Sequence, residues 1–235
     1  KRVRLEMLVT LLGGRRLIKK EITAEKGKVR AVAKGVRKTR SKFGGRLEPT
    51  SHVALQLFSG RGELDIVTQA ETVDRFEALR LDPDRFSEAS AMLEIADIVA
   101  PDWDPDRRRY EMLLGALRTL EERPSPLLVP AFFLKVLDHE GLAPALDSCV
   151  CCSSNGPLVA LDIGEGGAYC ESCRQGRSLS DQALAVMRAV LGGGLEKALL
   201  VDDPRICQEV DRIATEAVEF HLDRRMRARR VMHSM

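Results

Sequence analysis

Apolar and polar residues alternate with a period of two in several short runs before residue 75. Val53, Leu55 and Leu57 form one such run, and a second run follows the Gly-containing turn cluster at 59–62. Alternation of this kind is typical of half-buried strands, because successive side chains of a strand point to opposite faces. The pattern therefore predicts a β-hairpin over His52–Val73.

Two further segments near the start of the chain read as strands. The run 28–34 is rich in valine and alanine and ends at Gly35, and Leu17–Thr23 follows a turn signal at Gly13–Arg16. Short strands joined by Gly-containing turns within about 75 residues are typical of a small closed barrel. We therefore predict an OB-fold domain over residues 1–76.

The apolar period changes to three and four residues beyond position 80. A Ser or Asp directly before proline marks four helix starts, at Ser125-Pro126 and at Asp82, Asp104 and Asp203. The last predicted helix has an amphipathic stripe, formed by Ile206, Val210, Ile213, Ala217 and Phe220. The predicted fold class is α+β, with a helical domain at 77–235 after the barrel.

Charge is distributed very unevenly along the chain. Residues 1–46 hold 16 Lys/Arg against 3 Asp/Glu, a net of +13, although the whole chain has a net charge of only +2. The remaining residues are net acidic, except for a C-terminal arginine cluster. A basic module of this size favours binding to a polyanion such as nucleic acid over a solvated basic face.

Seven basic residues form the centre of this module, and their positions span a strand end and a Gly44-Gly45 loop. They are Arg30, Lys34, Arg37, Lys38, Arg40, Lys42 and Arg46. Aromatic residues are scarce, since only Phe43 and Phe58 occur in the first 75 positions. We therefore expect contacts to phosphates rather than base stacking, with weak sequence preference and strong salt dependence.

The C-terminal arginines predict a second cationic patch on or beyond the last helix. Five arginines fall within seven residues, so they cannot all share one helix face, and a plain solvated terminus is an equally good interpretation. They are Arg224, Arg225, Arg227, Arg229 and Arg230.

Four cysteines form the strongest local motif. Cys149-x-x-Cys152 is followed after 17 residues by Cys170-x-x-Cys173. Two Cys-x-x-Cys knuckles at this spacing are typical of a zinc-ribbon site, here a zinc module at about 146–177 inserted in the helical domain. Four thiolates leave no position for a water, so a structural zinc is favoured over a catalytic one. A redox dithiol explains only one of the pairs.

The other cysteines and the wider composition set the cellular context. Cys151 and Cys207 are expected to stay unliganded, and six cysteines are too few for a disulfide scaffold in a chain of 235 residues. There is no run of 18 apolar residues and no signal-peptide pattern. These features favour a cytoplasmic protein without a membrane partner.

Catalytic motifs are missing from the sequence. There is no His-Glu-x-x-His, no phosphate-binding loop of the Walker type and no Gly-x-Ser-x-Gly, and the four histidines are scattered. We therefore predict that the protein is not an enzyme. A zinc enzyme with unrecognised substrate groups is the less favoured alternative, because it needs an open position on the metal.

Together, the segments 27–38, 41–49 and 62–67, the helical middle and the two cysteine knuckles resemble the RecO family of bacterial recombination mediators. The resemblance covers about residues 23–235. It implies an OB-fold, a helical domain and a zinc module in that order. It also implies binding to single- and double-stranded DNA, annealing of complementary strands, and partnership with RecR and with the C-terminal tail of SSB in loading recombinase during DNA repair.

The basic module alone fits a second class equally well. An OB-fold protein that binds RNA or associates with the ribosome would carry the same charge and the same structural zinc. A preference for structured RNA would favour that alternative, whereas annealing of SSB-coated DNA would favour the recombination mediator. The resemblance favours the mediator and a nucleoid-associated location in the cytoplasm.

Overall fold

The computed structural model describes residues 2–12, 18–34, 43–59 and 64–223. The chain divides into two compact units, one up to Arg123 and one from Pro124. The first unit contains a closed five-stranded barrel. Its strands are β1 (Arg2–Leu12), β2 (Ile18–Thr23), β3 (Gly27–Val32), β4 (His52–Phe58) and β5 (Asp65–Asp74).

The barrel has the strand order β1-β2-β3-β5-β4, and β4 pairs back with β1 to close it. Neighbouring strands are antiparallel except for β3 and β5, which run parallel. This architecture confirms the predicted OB-type barrel. The predicted hairpin is also confirmed, because β4 pairs with β5 and places Val53, Leu55 and Leu57 in the interior, each at most 1% exposed.

One apolar cluster fills the barrel. Because side chains alternate along a strand, the small residues of β3 point inward and its charged residues point outward. The interior is formed by Leu5, Val29, Ala31, Ala33, Phe43, Leu47, Val53, Leu55, Leu57 and Val67. The predicted turn at Gly13–Arg16 and most of the turn cluster at 59–62 lie outside the described residues.

The edge of β3 opposite β2 has two different partners. Its last residues pair with β5, as Ala31 with Asp65 and Val32 with Ile66. Near its start, Lys28 forms a parallel bridge with Asp102, and the Trp103 backbone N–H donates to the Lys28 carbonyl oxygen at 3.1 Å. The segment 102–104 therefore continues the hydrogen bonding of β3 where β5 does not reach.

Three helices complete the first unit: α1 (Glu77–Leu81), α2 (Pro83–Val99) and α3 (Arg107–Glu122). The predicted start at Asp82-Pro83 is confirmed, because the Asp82 carboxylate accepts from the backbone N–H groups of Asp84 and Arg85. The predicted start at Asp104-Pro105 is wrong by two residues. Asp106 caps α3 instead, because the segment 102–104 is held against β3 by the Trp103 N–H bond to the Lys28 carbonyl, with Trp103 in a left-handed conformation at φ of +62°.

The second unit combines four helices with a small sheet. Its elements are α4 (Leu128–His139), β6 (Leu158–Asp162), β7 (Gly167–Cys170), β8 (Arg177–Ser178), α5 (Asp181–Leu191), α6 (Leu195–Ala198) and α7 (Pro204–His221). The strands are ordered β7-β6-β8. The helix expected from Ser125-Pro126 begins at Leu128, because the Ser125 carbonyl first closes a turn with the Leu128 N–H at 3.0 Å.

The last helix follows its predicted stripe with one exception. Asp203 caps α7, and Val210, Ile213 and Ala217 are at most 1% exposed. Phe220, expected on the same face, is 56% exposed. No helix among the described residues is long and apolar enough to cross a bilayer.

Gly27 lies directly against the backbone of Asp104. Gly27 has a φ of +65°, and a Cβ built there would lie 2.0 Å from the Asp104 carbonyl oxygen. We therefore expect Gly27→Ala to lower the free energy of unfolding by about 2–4 kcal/mol, from left-handed strain and the backbone clash. Urea denaturation measures this change.

Gly115, in the middle of α3 in the same unit, is the matched control. A Cβ there meets nothing within 4 Å. Gly115→Ala is expected to raise the free energy of unfolding by about 0.5–1 kcal/mol, because alanine favours a helix interior over glycine. Equal and small changes for the two variants would contradict the close approach at Gly27.

Candidate functional site

The outer face of β3 carries a row of cations. Since Val29 and Ala31 point into the barrel, Lys28 and Arg30 point away from it. The Arg30 side chain is 47% exposed, and Lys34, two residues past the end of β3, is exposed as well. Two of the predicted DNA-binding residues, Arg30 and Lys34, are therefore exposed to water, on β3 and just beyond it.

Two carboxylates lie against the first cations of this row. Arg30 Nη2 is 2.6 Å from Asp102 Oδ2, and Lys28 Nζ is 3.9 Å from Asp102 Oδ1. Lys28 Nζ also lies 3.7 Å from Asp97 Oδ1 and donates to the Asp97 carbonyl oxygen at 2.7 Å. The Lys28 and Asp97 side chains are only 10% and 8% exposed. Lys28 is therefore a buried, fixed charge, whereas the Arg30–Asp102 pair is open to water.

The remaining predicted basic residues divide into described and undescribed ones. Arg46 is the last residue of the basic segment that follows β3, residues 33–46. Arg46 is exposed, and its Nη1 donates to the Phe43 carbonyl oxygen at 3.2 Å. Nine others lie outside the described residues: Arg37, Lys38, Arg40, Lys42, Arg224, Arg225, Arg227, Arg229 and Arg230. Lys34 directly precedes the undescribed stretch 35–42, and Arg46 follows that stretch by four residues; both are exposed.

The aromatic side chains in and near the barrel differ in their exposure. Phe43 is 1% exposed and belongs to the barrel core, while Phe58 is 41% exposed. Trp103, the only tryptophan of the chain, is 45% exposed, and Lys26 Nζ lies 5.6 Å from its ring centroid.

Sequence reasoning missed the segment 102–104 and its role at β3. Its only signal is a run of three aspartates around Trp103, and nothing in that run indicates contact with a strand more than 70 positions earlier.

The four cysteines of the two knuckles come together in the second unit. The Sγ atoms of Cys149, Cys152, Cys170 and Cys173 all lie within 4.8 Å of one another, and the Cys152–Cys170 Sγ distance is 3.7 Å. Thiolates arranged tetrahedrally at about 2.3 Å from a zinc ion are about 3.8 Å apart. The cluster therefore fits a tetrahedral metal ion and can hold one.

Local backbone hydrogen bonds shape the first knuckle. The Cys149 N–H donates to the Ser154 carbonyl at 2.9 Å, and the Ser153 N–H donates back to the Cys149 carbonyl at 2.8 Å. Ser153 adopts a left-handed conformation with φ of +59° to close this turn. The second knuckle starts at the end of β7, where Cys170 leads into a 3-10 helix over Glu171–Cys173.

Hydrogen bonds among the thiols and the backbone around them shift their pKa values in opposite directions. A backbone hydrogen bond from Cys170 lowers the pKa of Cys149 to about 6. Hydrogen bonds with Cys152 and Cys151 raise the pKa of Cys173. Cys151 is exposed and lies outside the four-cysteine set, and Cys207 is buried on α7, where its Sγ donates to the Val201 carbonyl at 3.5 Å.

Side chains of the helices attach the cysteine module to the second unit. Arg188 of α5 donates from Nε and Nη2 to the Leu146 carbonyl, at 3.0 and 2.6 Å, just before the first knuckle. Arg177 of β8 pairs with Glu216 of α7 at 3.0 Å. The module is therefore held on the helices at both of its ends.

Comparisons with known proteins identify the family. Residues 12–76 match the family model described as Recombination protein O N terminal, and residues 80–230 match the one described as Recombination protein O C terminal. A DNA repair protein RecO from Frankia casuarinae is 41% identical over 213 residues, which cover 88% of this chain and 87% of the relative. Proteins of the same name from Streptomyces avermitilis and Streptomyces coelicolor are each 38% identical over 221 residues, covering 89% of this chain and 88% of each relative. The chain therefore belongs to the RecO family of DNA repair proteins.

Proposed function

We propose that this chain is a non-catalytic recombination mediator that binds single- and double-stranded DNA through its phosphates and anneals complementary strands. The observation that carries the proposal is the arrangement of β3. Its small residues fill the barrel while Arg30 and Lys34 face water, and the most basic part of the chain follows directly. The family membership supports a role in DNA repair.

The chemistry of the surface supports phosphate contacts over base contacts. Phe43 is buried in the barrel, so it offers no face on which a base can stack. Arginine and lysine side chains contact phosphate oxygens without reading sequence. We propose Arg30, Lys34, Arg37, Lys38, Arg40, Lys42 and Arg46 as the binding residues, on an OB domain that ends at residue 76.

We further propose that the cysteine cluster holds zinc in a structural role. Four thiol ligands are typical of closed zinc sites, and the Sγ spacing matches a tetrahedral ion. A bound zinc ion would cross-link the first knuckle to the end of β7, in a module whose sheet has three short strands.

The proposed partners and location follow from the family resemblance. The protein would bind RecR and the C-terminal tail of SSB, help to load recombinase onto DNA, and work on the nucleoid in the cytoplasm. A stronger preference for structured RNA than for SSB-coated DNA would instead support the RNA-binding alternative.

The basic segment after β3 is expected to set the salt dependence of DNA binding. Each phosphate contact contributes about 0.7 to the log–log salt slope on single strands, so about five contacts give a slope near −3.5. The triple variant Lys34→Ala, Arg37→Ala, Lys38→Ala should reduce the magnitude of this slope by about 2, to a similar extent on DNA of any sequence. Fluorescence anisotropy between about 50 and 200 mM salt measures the slope.

A matched control removes three other exposed arginines of the same unit, Arg108, Arg118 and Arg123. This variant has the same net charge as the first, and its slope should stay within about 0.5 of the wild type. If the two triple variants behave alike, binding reflects overall charge and the proposed site is wrong.

The zinc proposal is tested by metal content and stability together. Purified protein should contain about one zinc ion per chain, and Cys170→Ser should lose the metal and unfold at a lower temperature, because one of four ligands is gone. Cys151→Ser is the control, because Cys151 is a spacer residue of the first knuckle outside the four-cysteine set. This variant should keep the zinc ion and the unfolding temperature of the wild type. A metal-free wild-type protein that is fully folded with reduced thiols would contradict the proposal.

The C-terminal arginines give a separate test of a second cationic patch. Truncation after Leu222 removes all five of them. If they contact DNA, RecR or the SSB tail, at least one of these three affinities should fall, because charged contacts are lost. Three unchanged affinities, measured by titration calorimetry or anisotropy, would show that these arginines are a solvated terminus.

A further inference from the structure

The Arg30–Asp102 pair shows that the outer face of β3 already binds an oxyanion. Asp102 Oδ2 lies 2.6 Å from Arg30 Nη2, close enough for a charge-assisted hydrogen bond. The other oxygen of the same carboxylate faces Lys28 Nζ at 3.9 Å. One carboxylate therefore bridges two cations, as a phosphate group would.

Lys28 and Arg30 differ in how readily each can exchange the Asp102 carboxylate for another anion. Lys28 keeps a second carboxylate, Asp97, and a carbonyl acceptor, so it stays in place whether or not Asp102 is present. Arg30 is 47% exposed and Asp102 is 34% exposed, so water and solutes reach their pair. Exposed ion pairs of this kind are weak, so another anion can replace the carboxylate.

The position of Asp102 is fixed by backbone bonds rather than by its charge. The Trp103 N–H donates to the Lys28 carbonyl, and Asp104 lies directly over Gly27. Loss of the Asp102 charge therefore leaves the segment 102–104 attached to β3. It also leaves Arg30 exposed rather than buried without a partner, so a neutral residue at position 102 is compatible with folding.

We propose that Lys28 and Arg30 form a phosphate-binding site on the outer face of β3, which Asp102 occupies in the DNA-free protein and thereby withholds from DNA. The inference rests on the proposed DNA binding and refines it. Arg30 contacts phosphate only where DNA displaces Asp102, so the basic residues beyond it contribute more to binding than Arg30 does. Asp102 is the residue that limits the site at this end of β3.

The test uses DNA-binding titrations of the full chain with a fluorescent oligothymidylate. Asp102→Asn should tighten binding about fivefold at about 50 mM salt, because one cation is released. It should also steepen the log–log salt slope by about 0.7, so the gain should shrink about 2.6-fold between about 50 and 200 mM salt. Arg30→Ala in the wild-type background should lower the slope by less than about 0.35, half of one full contact, because Asp102 competes with phosphate for this cation.

The double variant Asp102→Asn, Arg30→Ala should lose the gain, because Arg30 is the released cation. Asp104→Asn is the matched control. It removes the same charge from an exposed carboxylate two residues away that has no ion-pair partner among the described residues. Its effect on the slope should be less than half that of Asp102→Asn.

Several results would overturn the proposal while leaving the DNA-binding function intact. These are a slope lowered by about 0.7 in Arg30→Ala alone, equal effects of Asp102→Asn and Asp104→Asn, or a gain that persists in the double variant. A red shift of Trp103 emission in Asp102→Asn would overturn it too, because Asp102 would then be required to seat the segment. Absence of salt-dependent DNA binding by the wild-type protein would instead reject the proposed function together with this site.

Discussion

The divided edge of β3 is the constraint on which the rest of the first unit depends. β5 pairs with only two residues of β3, Ala31 and Val32, and the segment 102–104 pairs near the start of the strand, at Lys28. An unpaired strand edge is a liability, so a closed barrel needs both partners. Because the second partner comes from the stretch between α2 and α3, barrel closure also decides where those helices lie. The same contact requires a residue without a side chain at position 27.

Because of this pairing, the uncompensated positive charge increases along β3 toward its C-terminal end. Lys28 is buried against Asp97 and Asp102, Arg30 is paired at the surface, and Lys34 is exposed beyond the end of the strand. Positive charge is therefore neutralised where the helices join the barrel and accumulates toward the basic segment after β3. A polyanion that approaches the barrel meets the highest density of positive charge at that end, since attraction follows uncompensated charge.

Local patterns predicted the local parts of this structure well. The period of two identified β4 and β5, the Asp-Pro pairs located the starts of α2 and α7, and the cysteine spacing identified the four ligands that cluster. The same Asp-Pro signal was misleading at Asp104, because a backbone contact with β3 delays α3 until Asp106. The contact of Asp102 with Arg30 joins positions 72 residues apart, and no short-range period records it. Phe220 is a similar case, since helical periodicity defines a face but not whether a neighbour covers it.

A surface that holds DNA by its phosphates suits the proposed annealing chemistry. Bases stacked on protein aromatics would have to leave that stack before they could pair with a second strand, at about 1–3 kcal/mol for each base. Here Phe43 is buried and the proposed contact residues are arginine and lysine, so the base edges of a strand that they hold stay free. Contacts made through counterion release also exchange readily, which lets a strand slide into register with its complement. The proposed competition of Asp102 with phosphate for Arg30 also favours exchange of the bound strand, because it limits affinity at the end of the site nearest the helices.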